Sequence, residues 1–338
     1  MKKLFANKNI LITGGTGSIG SAIVKELLKY NCKTIRVLGS DENGLHNLSL
    51  QLNTGEKENF FQLMKRKKVR FIYGDITDFN RILTATENID YVIHAAAMKH
   101  VPICEYNPFE ATKVNVLGTE NLIRASIQNN ISKFILISTD KVVDPTTVLG
   151  STKLLAEKIV VNSNLNKGKK KIIFSVVRFG NVIGTRGSVL PKFIMQARQG
   201  KNLTVTDLLS TRFFVTLDNA VKAIILALDK MKGGEIFIPK TINSVRIYDL
   251  AKAITQYFKN TKNIRITGLR GGEKIHEKIL TEQDFLKLKL YKDVYLVDNL
   301  NNHKLSNVKY MINYFYSDRA KILSRNNIVK YLKKNNLL

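Results

Sequence analysis

The chain predicts an α/β fold, a doubly wound parallel sheet followed by a smaller α+β lobe. Three observations carry this. From Asn9 to about Val177, short apolar runs alternate with amphipathic stretches, the pattern of parallel strands joined by crossover helices. Glycines stand at positions 14, 17 and 20, between the first apolar run and the first amphipathic stretch. Beyond Val177 the alternation loosens into shorter runs separated by charged, glycine-bearing loops. At 338 residues the chain is long for one domain, and two lobes are expected, 1–177 and mainly 178–338, with segments of the second returning to the first.

Asn9-Ile10-Leu11-Ile12 is the first strand, Thr13 to Gly20 the turn after it, and a helix runs to about Tyr30. Gly14, Gly17 and Gly20 allow a tight turn, close backbone approach to a pyrophosphate, and close packing of helix on strand. The helix N-terminus adds free N–H groups for phosphate. This predicts a Rossmann-type dinucleotide site in which Gly14, Thr16, Gly17, Ser18, Ile19 and Gly20 cradle the cofactor. The second strand, Thr34 to Leu38, ends in Gly39-Ser40-Asp41. A carboxylate at this tip would accept bonds from a free ribose 2′-OH. The tip itself lacks an acid, which favours NADP beside Ser40. Asp41 is near enough to serve NAD, so both stay open.

Asn43 to about Lys65 reads as helix and Val69 to Tyr73 as the third strand. Asp75, with Ile76 beside it, is placed to meet the adenine amino group, or equally to cap the next helix. The fourth strand, Tyr91 to Ile93, leads into His94-Ala95-Ala96-Ala97. Ala95 and Ala96 are small enough for a dinucleotide to lie on the strand ends, and His94 reads as a packed core histidine. Met98 to Pro102 is expected to be a loop. Its Lys99 is a candidate for ligand contact, although a solvated lysine is the ordinary alternative. On the helix from about Pro108 to Asn129, Asn115 either has a buried partner or lies on the surface.

Phe134-Ile135-Leu136-Ile137 is a buried strand, and Ser138-Thr139-Asp140-Lys141 leaves its carboxyl end, where open α/β sheets bind ligands. Asp140 and Lys141 set a carboxyl beside an amine, a proton donor and acceptor if their pKa values are tuned. A surface pair in a loop is the alternative. Gly150 opens a helix that carries Lys153 and runs to about Val161, and Ile172 to Val177 is another strand. Further elements are a helix over Pro191 to Gln199, strands over Leu203 to Thr206 and Phe213 to Val215, and a helix from Asp218 to Lys230. A strand at Glu235 to Ile238 follows, then a helix capped by Ser244 and ending near Phe258. The loop Gly268 to Glu277 combines glycine and charge and can hold an anion. The lysine-rich tail from about Asp284 carries no assignable chemistry.

The net charge of +27 suits anionic ligands. It is spread along the chain, and no nucleic-acid motif accompanies it, so dedicated nucleic-acid binding is not expected. Cys32 and Cys104 show no metal or redox spacing, and both are expected as free thiols. No apolar run approaches the ~20 residues that span a bilayer. A cytoplasmic protein, not bound to a membrane, is expected.

The residues that carry these features also resemble a known family. Thr13 to Gly20 is similar to the cofactor loop of extended short-chain dehydrogenase/reductases. Met98 to Asn107, Ser138 to Pro145, Arg178 to Val189, Gly233 to Lys240 and Gly268 to Glu277 resemble the UDP-N-acetylglucosamine 4,6-dehydratases of flagellin-glycan and capsule polysaccharide synthesis. The resemblance spans roughly residues 8–300. It implies a UDP-sugar substrate, a tightly held and recycled NADP or NAD, and a homo-oligomer between dimer and hexamer. Asn181, Arg212, Arg270 and Glu273 would bind the UDP part, with Lys99 also near the substrate. The sequence departs from the superfamily at Leu149, where most members have Tyr four residues before the active-site lysine.

The implied reaction oxidises C4 of the sugar, eliminates the 6-OH and returns the hydride to C6. Lys141 would remove the C5 proton and Asp140 would protonate the departing hydroxyl. Thr139 would relay the 4-OH proton, and Lys153 would hold the nicotinamide ribose. The assigned roles need the Lys141 pKa lowered and the Asp140 pKa raised, and burial acts in both directions required. An ionised Asp140 would oppose both shifts. Two alternatives remain: a UDP-sugar 4-epimerase, which needs no acid at C6, and a regulatory NAD(P)-binding module that has lost catalysis.

Overall fold

The structure, a computed structural model, describes residues 2–53, 60–240, 242–291, 293–300 and 315–338. Its centre is a nine-stranded sheet. Six strands form the first part: β1 (Asn9–Thr13), β2 (Thr34–Gly39), β3 (Val69–Tyr73), β4 (Tyr91–His94), β5 (Lys133–Thr139) and β6 (Ile173–Phe179). They lie in the order β3-β2-β1-β4-β5-β6, all parallel. The expected doubly wound, Rossmann-type sheet is therefore present. Strand order reverses between β1 and β4, and such switch points open a crevice at the carboxyl ends.

Three later strands complete this sheet. Glu235–Pro239 pairs parallel with β6, and Val294–Asp298 and Leu288–Tyr291 follow as antiparallel strands. The inner strands are apolar on both faces, as helices covering both sides require. In β5 all of Phe134, Ile135, Leu136 and Ile137 are buried. The 19-residue helix Val148–Asn166 starts where Thr147 Oγ1 accepts from Gly150 N at 3.1 Å.

The remaining strands form two small sheets. Thr211–Val215 lies between Asn181–Val182 and Asn243–Arg246, and Leu203–Val205 pairs with Ile264–Ile266. They share a separate apolar core with Leu190, Phe193, Leu250, Ile254, Ile328 and Leu332. The last two belong to the helix Arg325–Lys334.

Four local expectations change. Ser244 does not cap a helix. It sits buried within a strand opposite Phe213, with its hydroxyl donating to Ser317 O, and Arg246 precedes the helix Ile247–Tyr257 instead. Strand pairing has overridden the local cap preference of serine. Met98 to Pro102 is only partly loop, because the helix Val101–Tyr106 begins with Pro102 in its first turn. The long helix after Pro108 contains a π-helical turn at Lys113–Leu117. The single helix expected over Asn43 to Lys65 is described as Glu42–Leu52 and Phe60–Lys67, and residues 54–59 lie outside the described residues. So does 301–314, part of the lysine-rich tail.

Candidate active site

A cleft of about 650 Å³ opens at the carboxyl ends of β1, β2, β4 and β5. Gly14, Thr16, Gly17, Ser18, Ile19 and Gly20 line it, as do Ser40, Asp41, Asp75, Ile76, Ala95 and Ala96. So do Lys99, Thr139, Lys141, Lys153 and Asn181. Residues scattered from 14 to 181 are thus gathered into one crevice by the strand order.

The glycine turn fits a pyrophosphate. Gly14 has φ +63°, and a Cβ there would lie 2.6 Å from Ala96 N. A Cβ on Gly20 would lie 2.3 Å from Gly14 O. Side chains at either position would fill the cradle. Gly17 precedes the helix Ser18–Leu27 and offers no side-chain cap, which leaves the first-turn N–H groups to a ligand. The loop after Gly184 crosses the same turn. Arg186 N donates to Ser18 Oγ at 3.1 Å, its guanidinium donates to Thr16 O, and its carbonyl accepts from Lys99 Nζ at 2.8 Å.

After the end of β2, Asp41 caps the helix Glu42–Leu52 by accepting from Gly44 N at 2.8 Å. Asp75 accepts from Thr77 N and Thr77 Oγ1, both at 2.8 Å. The next helix is capped by Asp78, not by Asp75.

His94 is a core residue. Its Nδ1 lies 2.7 Å from Thr13 Oγ1 and its Nε2 3.0 Å from Thr119 Oγ1. Burial, with a smaller push from Lys153, takes its pKa down to about 3 from 6.5. The imidazole is neutral in the fold and protonates freely in the unfolded chain. Its contribution to stability is therefore full above pH 6.5 and is lost as pH falls towards 3, by up to about 1.4 kcal/mol per pH unit. His94→Gln should flatten the acid limb of stability in that window. Urea unfolding at stepped pH values reads the slope, and an unchanged slope rejects the assignment.

Asn115, in the π-helical turn, has the buried partners that its position required. Its Oδ1 accepts from Met98 N at 2.9 Å, and its Nδ2 donates to Met98 O and Thr152 Oγ1 at 3.1 and 3.0 Å. It ties the segment before Lys99 to the helix that carries Lys153. Cys32 and Cys104 are free and buried.

The Asp140–Lys141 pair lies at the end of β5, where Asp140–Val142 forms a short 3₁₀ turn. Asp140 is 0% exposed. Its Oδ1 accepts from Thr139 Oγ1 and from Lys141 Nζ, each at 3.0 Å. Lys141 Nζ also donates to Asn181 Oδ1 at 3.2 Å and lies 3.6 Å from Glu277 Oε1. Burial alone would lower the Lys141 pKa, but Asp140 and then Glu277 outweigh it and hold it above its ordinary value. This corrects the expectation that burial prevails there: the resting group is an ammonium. Lys153 behaves as burial predicts. It is 5% exposed, donates to Ile137 O at 2.8 Å, and has its pKa lowered to about 8 by desolvation against a smaller opposing pull from Glu157.

Of the four residues expected to bind UDP, Asn181 lines the cleft. Arg212 is buried, and its donors are taken by Thr211 O, Ile275 O, Lys274 O and Glu273 Oε1 at 2.7–3.1 Å. Glu273 also accepts from Thr206 Oγ1 at 3.1 Å, and Arg270 stands exposed with its N–H on Glu273 Oε2 at 3.2 Å. These three form a cluster around the glycine-bearing loop. Sequence reasoning assigned nothing to Glu277 or Arg186. Both lie inside runs already singled out, but their partners are distant in the chain and leave no local signal.

Residues 10–299 match the family model described as polysaccharide biosynthesis protein. A Methanocaldococcus jannaschii protein named as an uncharacterized membrane protein is 44% identical, over 99% of this chain and 98% of its own. No helix among the described residues is long and apolar enough to cross a membrane. The inverting UDP-N-acetylglucosamine 4,6-dehydratase of Campylobacter jejuni is 42% identical, over 83% of this chain and 80% of its own. A UDP-glucose 4-epimerase of Rickettsia bellii is 36% identical, over 91% and 88%. The X-ray structure of Pen from Bacillus thuringiensis superposes with a TM-score of 0.89 at 35% identity, covering 99% of this chain and 100% of that one.

Proposed function

The chain belongs to the polysaccharide biosynthesis protein family, among nucleotide-sugar dehydratases and epimerases, and we propose that it is a UDP-N-acetylglucosamine 4,6-dehydratase. The observation that carries this is the Asp140–Lys141 pair, a carboxyl and an amine 3.0 Å apart beside the cleft. Elimination across C5 and C6 needs an acid and a base together, whereas a 4-epimerase has no use for an acid at C6. The product is a UDP-4-keto-6-deoxy-N-acetylhexosamine.

A nicotinamide dinucleotide in the glycine cradle, NADP in preference to NAD, supplies the hydride acceptor and donor. The protein's own groups handle the protons. Thr139 Oγ1 passes the proton of the 4-hydroxyl to Asp140. Asp140 delivers it to the 6-hydroxyl, which leaves as water. Lys141 removes the C5 proton, which the 4-ketone has made acidic. Lys153, still largely cationic below pH 8, lends positive charge near the 4-oxygen. The resting Lys141 ammonium must first give up a proton before it acts as a base.

The test is NMR of the protein with UDP-N-acetylglucosamine in deuterated water. A new C6 methyl signal and deuterium at C5 are expected, and the coupling pattern reads the C5 configuration. C5 exchange without a methyl would remove Asp140 as the acid. No change, with NADP or NAD supplied, would reject this substrate.

Leu149 takes no part in proton transfer on this reading. It is 4% exposed and packs with Cys104 and Ala111 at the cleft wall. Leu149→Met conserves volume, and its cost should stay under about 1.5 kcal/mol, with turnover held within a few-fold. Thermal unfolding and the methyl signal check this. A hundred-fold loss of turnover would give the position a chemical role.

A further inference from the structure

We propose that Glu277 takes the proton of Lys141 during the reaction and returns it afterwards, so that the lysine is a free amine only while a base is needed. The proposal deepens the dehydratase reading and rests on it for the chemistry at C5. The coupling between Glu277 and Lys141 can also be read without turnover.

Glu277 is 4% exposed. Its Oε1 lies 3.6 Å from Lys141 Nζ and 3.9 Å from Arg212 Nε. Its Oε2 is buried and has no hydrogen-bond partner among the described residues, and Lys274 Nζ stands 4.0 Å away. The backbone is fastened on both sides: Glu277 N donates to Ser317 Oγ at 2.8 Å, and Glu277 O accepts from Ser317 N at 2.9 Å. The carboxylate is thus held in the interior with an open acceptor atom. Lys274 gives that oxygen only a long ion pair and no hydrogen bond, so an acceptor site is left open beside the lysine at a cost that structure alone does not require.

The charged groups facing Lys141 are Asp140, Glu277 and Arg212, and those facing Glu277 are Lys141, Arg212 and Lys274. The cycle starts from the Lys141 ammonium, which faces the carboxyl groups of Asp140 and Glu277. C4 oxidation releases the 4-hydroxyl proton, which reaches Asp140 through Thr139. With Asp140 neutralised, Lys141 has lost its nearest counter-charge, and its proton passes to Glu277. The free amine then takes the C5 proton as the C5–H bond breaks. Its electron pair expels the 6-hydroxyl, which takes the Asp140 proton and leaves as water. After hydride has returned to C6, Lys141 gives a proton back to C5 and regains its own from Glu277. Every group ends as it began, and the water formed carries the 4-hydroxyl proton.

The test compares wild type, Glu277→Gln and Glu277→Asp as cofactor-loaded protein. Circular dichroism and bound dinucleotide show that each variant is folded. At pH 7 the Gln variant should exchange C5 slower by about 10²-fold. The rate should climb back as pH rises, because solvent must now remove the lysine proton. The Asp variant should keep the wild-type pH profile. A loss that is the same at every pH, or no loss, overturns the proposal. The second readout needs no turnover. With ¹³C-labelled lysine, the Lys141 signal, assigned by its absence in Lys141→Arg, should titrate at lower pH in Glu277→Gln than in wild type. If wild type does not dehydrate the sugar but this shift is present, the substrate reading fails and the Glu277–Lys141 coupling stands. An unshifted Lys141 titration overturns the proposal whatever the substrate.

Discussion

Lys141→Ala is expected to retain its dinucleotide and to lose C5 exchange by about 10²–10⁴-fold, the usual contribution of a placed general base. The lysine reaches Asp140, Asn181 and Glu277 from a 3₁₀ turn. None of these contacts builds the glycine cradle, so cofactor content should survive. Removing the ammonium takes away the cation that Asp140 and Glu277 both face. Lys141→Arg separates charge from basicity, since a guanidinium keeps the counter-ion role but does not deprotonate. Arg should restore stability relative to Ala without restoring exchange. Deuterium at C5 and retained cofactor absorbance measure the two effects. Unchanged turnover in Lys141→Ala would end the assignment of this lysine as the base.

Arg178→Ala is expected to cost about 3–5 kcal/mol of stability, the range for breaking a buried ion pair. Arg178 grips Glu157 with two bonds of 3.1 and 2.7 Å, and reaches Asp284 Oδ2 at 2.7 Å and Ile279 O at 3.0 Å. Glu157 lies one turn beyond Lys153 on the same helix, and Arg178 precedes Asn181 by three residues. The network therefore joins the helix of Lys153, the end of β6 and the segment just after Glu277. Burial would raise the Asp284 pKa, but Arg178 outweighs it and holds it below the ordinary carboxylate value. Its share of stability is complete above that ordinary value and is lost as pH falls through the depressed one. Urea unfolding near neutral pH measures the loss. Replacing Arg178, Glu157 and Asp284 together by apolar residues should recover much of it. A loss below 1 kcal/mol in Arg178→Ala would show that the charges find water.

Much of the fold was legible because its signals are local. Each strand through β6 is an apolar run bounded by turn residues, and the glycine turn sits where a strand meets a helix. His94 could be placed in the core because it ends a fully apolar strand. What escaped depends on pairing at a distance. Glu235 to Ile238 reads as a strand, but nothing in those four residues says that it extends the main sheet beside β6. Ser244 carries the chemistry of a cap and sits in a strand because Thr211–Val215 pairs with it. The balance of charge at Lys141 was equally hidden. Asp140 stands beside it in the sequence, but Glu277, which adds to the pull of Asp140, comes from 136 residues further along the chain.

The placement of Glu235–Pro239 also bears on how the chain can be cut. A fragment ending at residue 177 would strip β6 of the neighbour that pairs with Val176 and Val177. It would leave what remains of β6, buried in the whole chain from Phe174 onward, as a bare margin, with N–H and C=O groups open to any passing chain. Such a fragment should self-associate edge to edge. The first half of the chain is therefore not a detachable module, and a shortened protein would have to keep the later strands and lose material from loops.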